Sequence, residues 1–351
     1  MNLRNRQSNF ELLRIIATFL IILEHYTASI NYTESALLVN RALYVMLGVW
    51  EGLGVDIFIC ISCWFLSSEK AQFSIVKLYD LCKVVIFYSL IWYFGLVLKG
   101  DYEFSIKWLV KMFLTPFIGT YWFMTAFLLF YMLCPIMNIL VNKISNEQLK
   151  KIVLVLTVVF LGYHNVFGGE TPLLGIISTF CYIYFFISYL RRCPGNIIER
   201  YCGLFAVLLY IVIVTSVIFL KEIGKNNYVI HFIDRSTVFI ILLAVSIFYL
   251  FKKLELKNQF INSMAKSVFA VYIMHQFWWG HHYIWELAKV REAYASKLFF
   301  LYMPFTSFLI LIICTLIDLL KRAIDRKLKK TQLSTCLYNR IASLDEIFII
   351  K

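Results

Sequence analysis

The chain of 351 residues is 61% hydrophobic, 18% aromatic and only 16% charged, with a formal net charge of +13 and a mean hydropathy of +0.76. A soluble domain carries roughly 25% charged and about 45–50% apolar residues, so no aqueous core hides this surplus and lipid must solvate most of the chain. The positive charge does not imply nucleic acid, because Lys and Arg stand in short runs between apolar stretches, the distribution that the positive-inside rule produces.

The chain opens with Met1–Gln7 and an apolar run. The run is too long for a signal peptide and lacks a small-residue cleavage site, so it reads as a first span. Apolar segments of spanning length then follow at 44–66, 75–98, 121–141, 151–167, 172–190, 202–220, 236–251, 267–285 and 298–320, after the first at 10–30. The stretch 104–120 is short and carries Lys107, Lys111 and Pro116, which suits an interfacial or re-entrant segment. The expected fold is all-α, a polytopic transmembrane bundle of about ten helices. Residues 1–330 form its membrane-embedded domain and 331–351 a short C-terminal tail. No internal repeat or low-complexity segment is present, and nothing in the sequence specifies an oligomeric state.

Orientation follows from the connections. With Arg4 and Arg6 in the cytoplasm, the inner loops carry Lys70 and Lys77; Lys143, Lys150 and Lys151; Arg191, Arg192 and Arg200; and Lys252, Lys253, Lys257 and Lys266. The tail adds Lys321, Arg322, Arg326, Lys327, Lys329 and Lys330, whereas the loops 31–43, 164–171 and 221–235 are poorer in Lys and Arg. Both termini are therefore expected in the cytoplasm. Lys99, Lys107 and Lys111 depart from this pattern and have Asp101 and Glu103 nearby as partners; a charged ligand is the other explanation. The nine cysteines lie mostly in apolar runs and read as small buried residues. Cys60 and Cys63 make a CxxC, but no second pair stands at zinc spacing.

Ionisable groups inside hydrocarbon cost several kcal/mol and are functional candidates by default. The first span holds Glu11, Arg14, Glu24 and His25. Arg14 and His25 are eleven residues apart, which places them on one helix face about 16 Å apart along the axis. The plainer reading makes Arg14 a snorkelling anchor and His25 a polar cap. In the second span Asp56 is a bare carboxylate for which either His25 or Arg14 is a candidate partner, and Ser62 follows two turns on. In the ninth, His275 sits within the apolar run and His281 and His282 near its outer boundary. A lone membrane His is as often a helix–helix hydrogen-bond partner. None of these histidines has diagnostic metal spacing, so no metal is expected. His164 and His231 fall in external loops and are expected to be solvated.

These motifs together resemble the opening, middle and end of the acyltransferase-3 family of membrane-bound O-acyltransferases. Asn9-Phe10-Glu11-Leu12-Leu13-Arg14-Ile15-Ile16-Ala17 followed by His25 is similar to its first span. Gly54-Val55-Asp56-Ile57-Phe58 through Ser62 resembles its GVD-x-F stretch. Tyr121-Trp122-Phe123-Met124 with Pro135 resembles its W-F segment, and Tyr272-Ile273-Met274-His275 its Y-L-x-H block. Cys63 stands where the family usually has Gly after Ser62, the basic pair opening the third span is reduced to Lys77 and Lys83, and no hydrolase-like domain is fused. The resemblance implies acyl transfer from acetyl-CoA, with no tightly bound cofactor, to a hydroxyl of a surface glycan such as capsule or exopolysaccharide, or of a lipid-linked sugar. The setting it implies is the bacterial cytoplasmic membrane. Carried onto this chain, it makes His25 the base or acyl carrier and Asp56 its charge partner. Arg14, Lys77 and Lys83 become acyl-donor contacts, and Ser62, Trp122, Tyr272 and His275 line the acceptor site. The competing class is a glycan or lipid-linked sugar transporter using the same polar residues as a passage.

Overall fold

The computed structural model describes residues 7–30, 37–48, 50, 52–68, 74–168, 173–277, 279–328, 341 and 343. The expectations for Arg4, Arg6, Lys70, Lys329 and Lys330, and for all of the 331–351 tail except 341 and 343, lie outside the described residues. Within them the chain forms helices and no strand. In order these are α1 (Ser8–Ala28), α2 (Leu38–Gly48), α3 (Leu53–Leu66), α4 (Ile75–Lys99), α5 (Ile106–Leu114), α6 (Trp122–Lys143) and α7 (Asn146–Phe160), which continues as a π-helical turn over Leu161–Val166. There follow α8 (Leu173–Arg192), α9 (Ile197–Arg200), α10 (Cys202–Glu222), α11 (Ile230–Ile233) and α12 (Val238–Lys252). The last third holds α13 (Gln259–Met264), α14 (Val268–His275), α15 (His281–Leu287), α16 (Val290–Ala295) and α17 (Phe299–Leu328).

Six helical stretches are long and apolar enough to cross a membrane: Ile75–Lys99, Trp122–Lys143, Asn146–Val166, Cys202–Glu222, Asn226–Lys252 and Phe299–Arg326. Burial separates them into two kinds. Only 17% of the apolar window of α10 and 22% of that in Asn146–Val166 is buried, against 50% in α6 and 61% in Asn226–Lys252. The first two turn Leu154, Val155, Val158, Leu204 and Val207 outward, an apolar surface that only hydrocarbon solvates without penalty. Asn226–Lys252 packs mostly inside, and α6 buries one face while turning Met132 and Ile136 outward.

α1 is not among the six, because Glu11, Arg14, Glu24 and His25 interrupt its apolar run. It needs no apolar perimeter, since protein surrounds it: α3 and α17 pack on it most extensively, and α13, α14, α2 and α12 complete the enclosure. This is where membrane proteins keep ionisable residues. A Cβ on Gly54 would lie 2.7 Å from the Ala17 carbonyl oxygen and 2.8 Å from Ile21, so a side chain no larger than hydrogen lets α1 and α3 come this close.

Two expected spans are broken. The 44–66 segment is divided between α2 and α3, with Gly52 at φ +80° on the boundary, a left-handed conformation suited to glycine. The 267–285 segment stops at His275 and resumes as the short α15, because Gly280 packs against the Trp92 ring where a Cβ would come within 2.6 Å. α5 is a short, strongly amphipathic helix, in keeping with an interfacial segment. His164, expected in water, is buried against Phe160 and Tyr163, because the helical path continues through the π turn. His231 is half-buried, its Nδ1 lying 2.9 Å from the Asn165 carbonyl oxygen.

α14 is held at both ends. Arg322 donates to the Ser263 carbonyl at 3.1 Å and to the Ser267 hydroxyl at 2.8 Å. It also pairs with Asp318 at 3.0 Å, and Asp318 in turn accepts from the Tyr88 hydroxyl at 2.9 Å. This buried network locks α4, α17 and the start of α14 together.

Candidate functional site

The last carbonyls of a helix have no intrahelical partner, and α14 ends inside the protein. Its orphan carbonyls are met by side chains: the Tyr121 hydroxyl donates to Ile273 O at 3.3 Å and the Trp92 indole to Met274 O at 2.8 Å. That cap fixes His275, which is fully buried. The Nδ1 of His275 lies 2.6 Å from the Val271 carbonyl oxygen and its Nε2 lies 2.8 Å from Nδ1 of His25.

The tautomers follow from these two contacts. A carbonyl oxygen only accepts, so Nδ1 of His275 carries the proton there and its Nε2 presents a lone pair. With both rings neutral, Nδ1 of His25 donates to that lone pair. Nε2 of His25 is left as the unprotonated nitrogen, the form a general base needs. His25 is half-buried while its partner is sealed, so the outer ring can be reached and the inner ring only orients it.

Asp56 stands in the first turn of α3, fully buried, and neither carboxyl oxygen has a hydrogen-bond partner. The expected pairing of Asp56 with His25 or Arg14 is not formed. Arg14 instead pairs with Glu11 at 2.8 Å. Arg235 packs against Gly52, whose carbonyl accepts from the Asp56 amide at 2.9 Å. Its guanidinium carbon lies 4.0 Å from the Trp122 ring centroid, a cation–π contact. Arg235 belongs to the connection before α12, a loop poorer in Lys and Arg than the inner ones. Its signal in the sequence is an arginine set directly against the apolar run that begins at 236.

The candidate residues therefore divide between two ends of α1. His25, Trp122, Tyr272 and His275 gather at one end, with Tyr272 meeting Phe123 edge-on at 5.7 Å and Tyr121 at 6.1 Å, whereas Asp56 follows Gly54, which packs against Ala17 and Ile21 midway along α1. Arg14 is at the other end, its guanidinium 5.9 Å from the Phe65 ring centroid. Trp64 there lies between Arg191 at 4.9 Å and Lys252 at 4.7 Å, and Arg191 also donates to the Trp64 carbonyl. Lys77 and Lys83 are not brought against Arg14: both are exposed on α4, which packs chiefly on α5 and α14. Ser62 is half-buried about 9 Å along α3 from Asp56, away from the histidine pair. Among the described residues no three His, Cys, Asp or Glu side chains are grouped to hold a metal.

Fold and site together define a multi-pass helical membrane protein that places an oriented imidazole and a half-buried arginine at one end of its bundle. The chain belongs to the acyltransferase-3 family: the family model described as an acyltransferase domain matches residues 7–319, nearly the whole length. Comparison with curated proteins and with solved structures gives no match. It is a membrane acyltransferase, and this membership decides against the transporter reading.

Proposed function

We propose that the protein transfers an acetyl group from acetyl-CoA to a hydroxyl of a cell-surface glycan or lipid-linked sugar, acting as an O-acetyltransferase of the bacterial cytoplasmic membrane. The observation that carries this reading is the 2.8 Å contact between His25 Nδ1 and His275 Nε2, which leaves His25 Nε2 free to accept a proton. Alcohols are poor nucleophiles at neutral pH, and a positioned base of this kind typically contributes a factor of about 10²–10⁴.

Arg14 and the cations around Trp64 suit the charged end of the donor. They lie about 16 Å from His25 along α1, a separation that a donor with a long flexible arm between its phosphates and its thioester can span. On this reading Arg14 grips a phosphate oxygen, Asp56 balances charge in the bundle between Arg14 and His25, and Trp122 and Tyr272 border the acceptor. Lys77 and Lys83, exposed on α4, contribute at most to long-range attraction of the anionic donor.

The test is the O-acetyl content of surface glycans, measured by mass spectrometry in cells carrying either the wild type or His25→Ala at equal protein level. Acetylation is expected to fall to the level of cells without the protein. Unchanged acetylation in the variant overturns the reading.

A further inference from the structure

We propose that Arg235 is the electrophilic group of this site, the cation that meets the carbonyl oxygen of the transferring acyl group as negative charge develops on it. The proposal rests on the reading of His25 as the base of an acyl transfer and names the group that completes that site.

A structural arginine in an apolar interior normally ends in a carboxylate, with its donors satisfied in pairs. Arg235 does not. Its Nε is buried without a hydrogen-bond partner, and so are both oxygens of Asp56, the acid it acts on electrostatically. The guanidinium and the carboxyl group do not close on each other. What holds the guanidinium is apolar and steric: the Trp122 ring at 4.0 Å on one side and the backbone of Gly52 against its stem. A Cβ on Gly52 would lie 2.5 Å from Arg235 Cβ and 2.8 Å from its Cα. This is a preorganised cation with an unpaired Nε, joined to the histidine pair through ring contacts of Trp122 with Phe123 at 5.9 Å, Phe123 with Tyr272 at 5.7 Å and Tyr272 with His275 at 6.2 Å.

The step balances around these groups. The acceptor hydroxyl gives its proton to Nε2 of His25 as its oxygen attacks the thioester carbonyl carbon. The carbonyl π pair moves onto oxygen, where the Arg235 guanidinium faces it. When the intermediate collapses, the C–S bond breaks and the sulfur leaves as thiolate, taking the proton from His25 to give free thiol and ester. Fixed donors facing such an oxyanion are worth about 10²–10³ in kcat.

The experiment uses the full chain in proteoliposomes, with isotope-labelled acetyl-CoA as donor and glycan prepared from cells lacking the protein as acceptor. Arg235→Gln is expected to lower kcat by about 10²–10³ with the donor KM little changed. Arg235→Lys is expected to retain an intermediate rate, and added guanidinium ion to restore part of the activity of Arg235→Ala. Wild-type kcat in Arg235→Gln, or a loss in both variants that only follows the amount of folded protein, overturns the role of Arg235 and leaves the acyltransferase reading intact. Absence of transfer by the wild type overturns that reading itself, and the role of Arg235 with it.

Discussion

His25 and His275 are separated by 250 residues, yet the chemistry of either depends on the other. The motifs around each were legible in the sequence, as were Asp56, Trp122 and Tyr272, and the fold brings Trp122 and Tyr272 to the histidine pair while Asp56 lies nearer the middle of α1. Their pairing was not legible: spacing on one helix cannot show which side chain of another meets it, and Asp56 was the expected partner. Arg235 was hidden differently, because counting basic residues by loop treats an arginine beside a span as topology. His275 tests whether orientation matters. His275→Phe removes the acceptor for His25 Nδ1 and releases the tautomer, and loss of an orienting partner can cost up to about 10⁴ in kcat. A fall of at least about tenfold in kcat is expected, with donor KM little changed and His25 still present; the measurement is steady-state transfer of labelled acetyl.

Between helices, the breaks matter as much as the spans. Hydropathy joined 44–66 and 267–285 into single segments because it averages over the few residues where the chain turns. Gly52 and Gly280 mark those places, each lying where a Cβ would collide with a neighbour. Gly54 is a related case, since its absent side chain sets the distance between α1, which carries His25, and α3, which carries Asp56. Gly54→Ala is expected to push the two apart and to destabilise the protein by about 1–3 kcal/mol, visible as a lower melting temperature together with reduced transfer. At the His25 end a smaller tie joins the loop after α4 to α15. The Tyr283 hydroxyl donates to Asp101 at 2.6 Å, Lys99 approaches the same carboxylate at 3.1 Å, and its ammonium also sits 3.5 Å from the Tyr283 ring centroid. The Tyr283 hydroxyl, reinforced by Lys99, holds the Asp101 carboxyl below the ordinary carboxylate range. A depressed acid stabilises the folded form above its unfolded pKa and loses that contribution as pH falls through the folded value. Protection of α15 amides, taken relative to the intrinsic exchange rate at each pH, is therefore expected to persist through mildly acidic pH and to fall only below the usual carboxylate range. In Asp101→Asn exchange is expected to be faster at neutral pH.

For the molecule as a whole, composition alone was enough to assign a helical membrane protein, because no arrangement of 61% hydrophobic residues suits water. It could not show that the helix best suited to chemistry is the least suited to lipid. α1 carries Glu11, Arg14, Glu24 and His25 within an apolar run and stands where other helices shield it, with Arg14 toward one end and His25 toward the other. The protein spends its lipid-facing helices on enclosure and its interior on a site spread over α1, α3, α6, α14 and the approach to α12. The central claim is that acyl transfer takes place at the His25–His275 pair. Its most direct test is labelled acetyl transfer from acetyl-CoA by purified wild type and His25→Ala, reconstituted at matched folded amounts. The wild type is expected to acetylate the glycan and the variant to be slower by at least about 10²-fold; equal rates would contradict the claim.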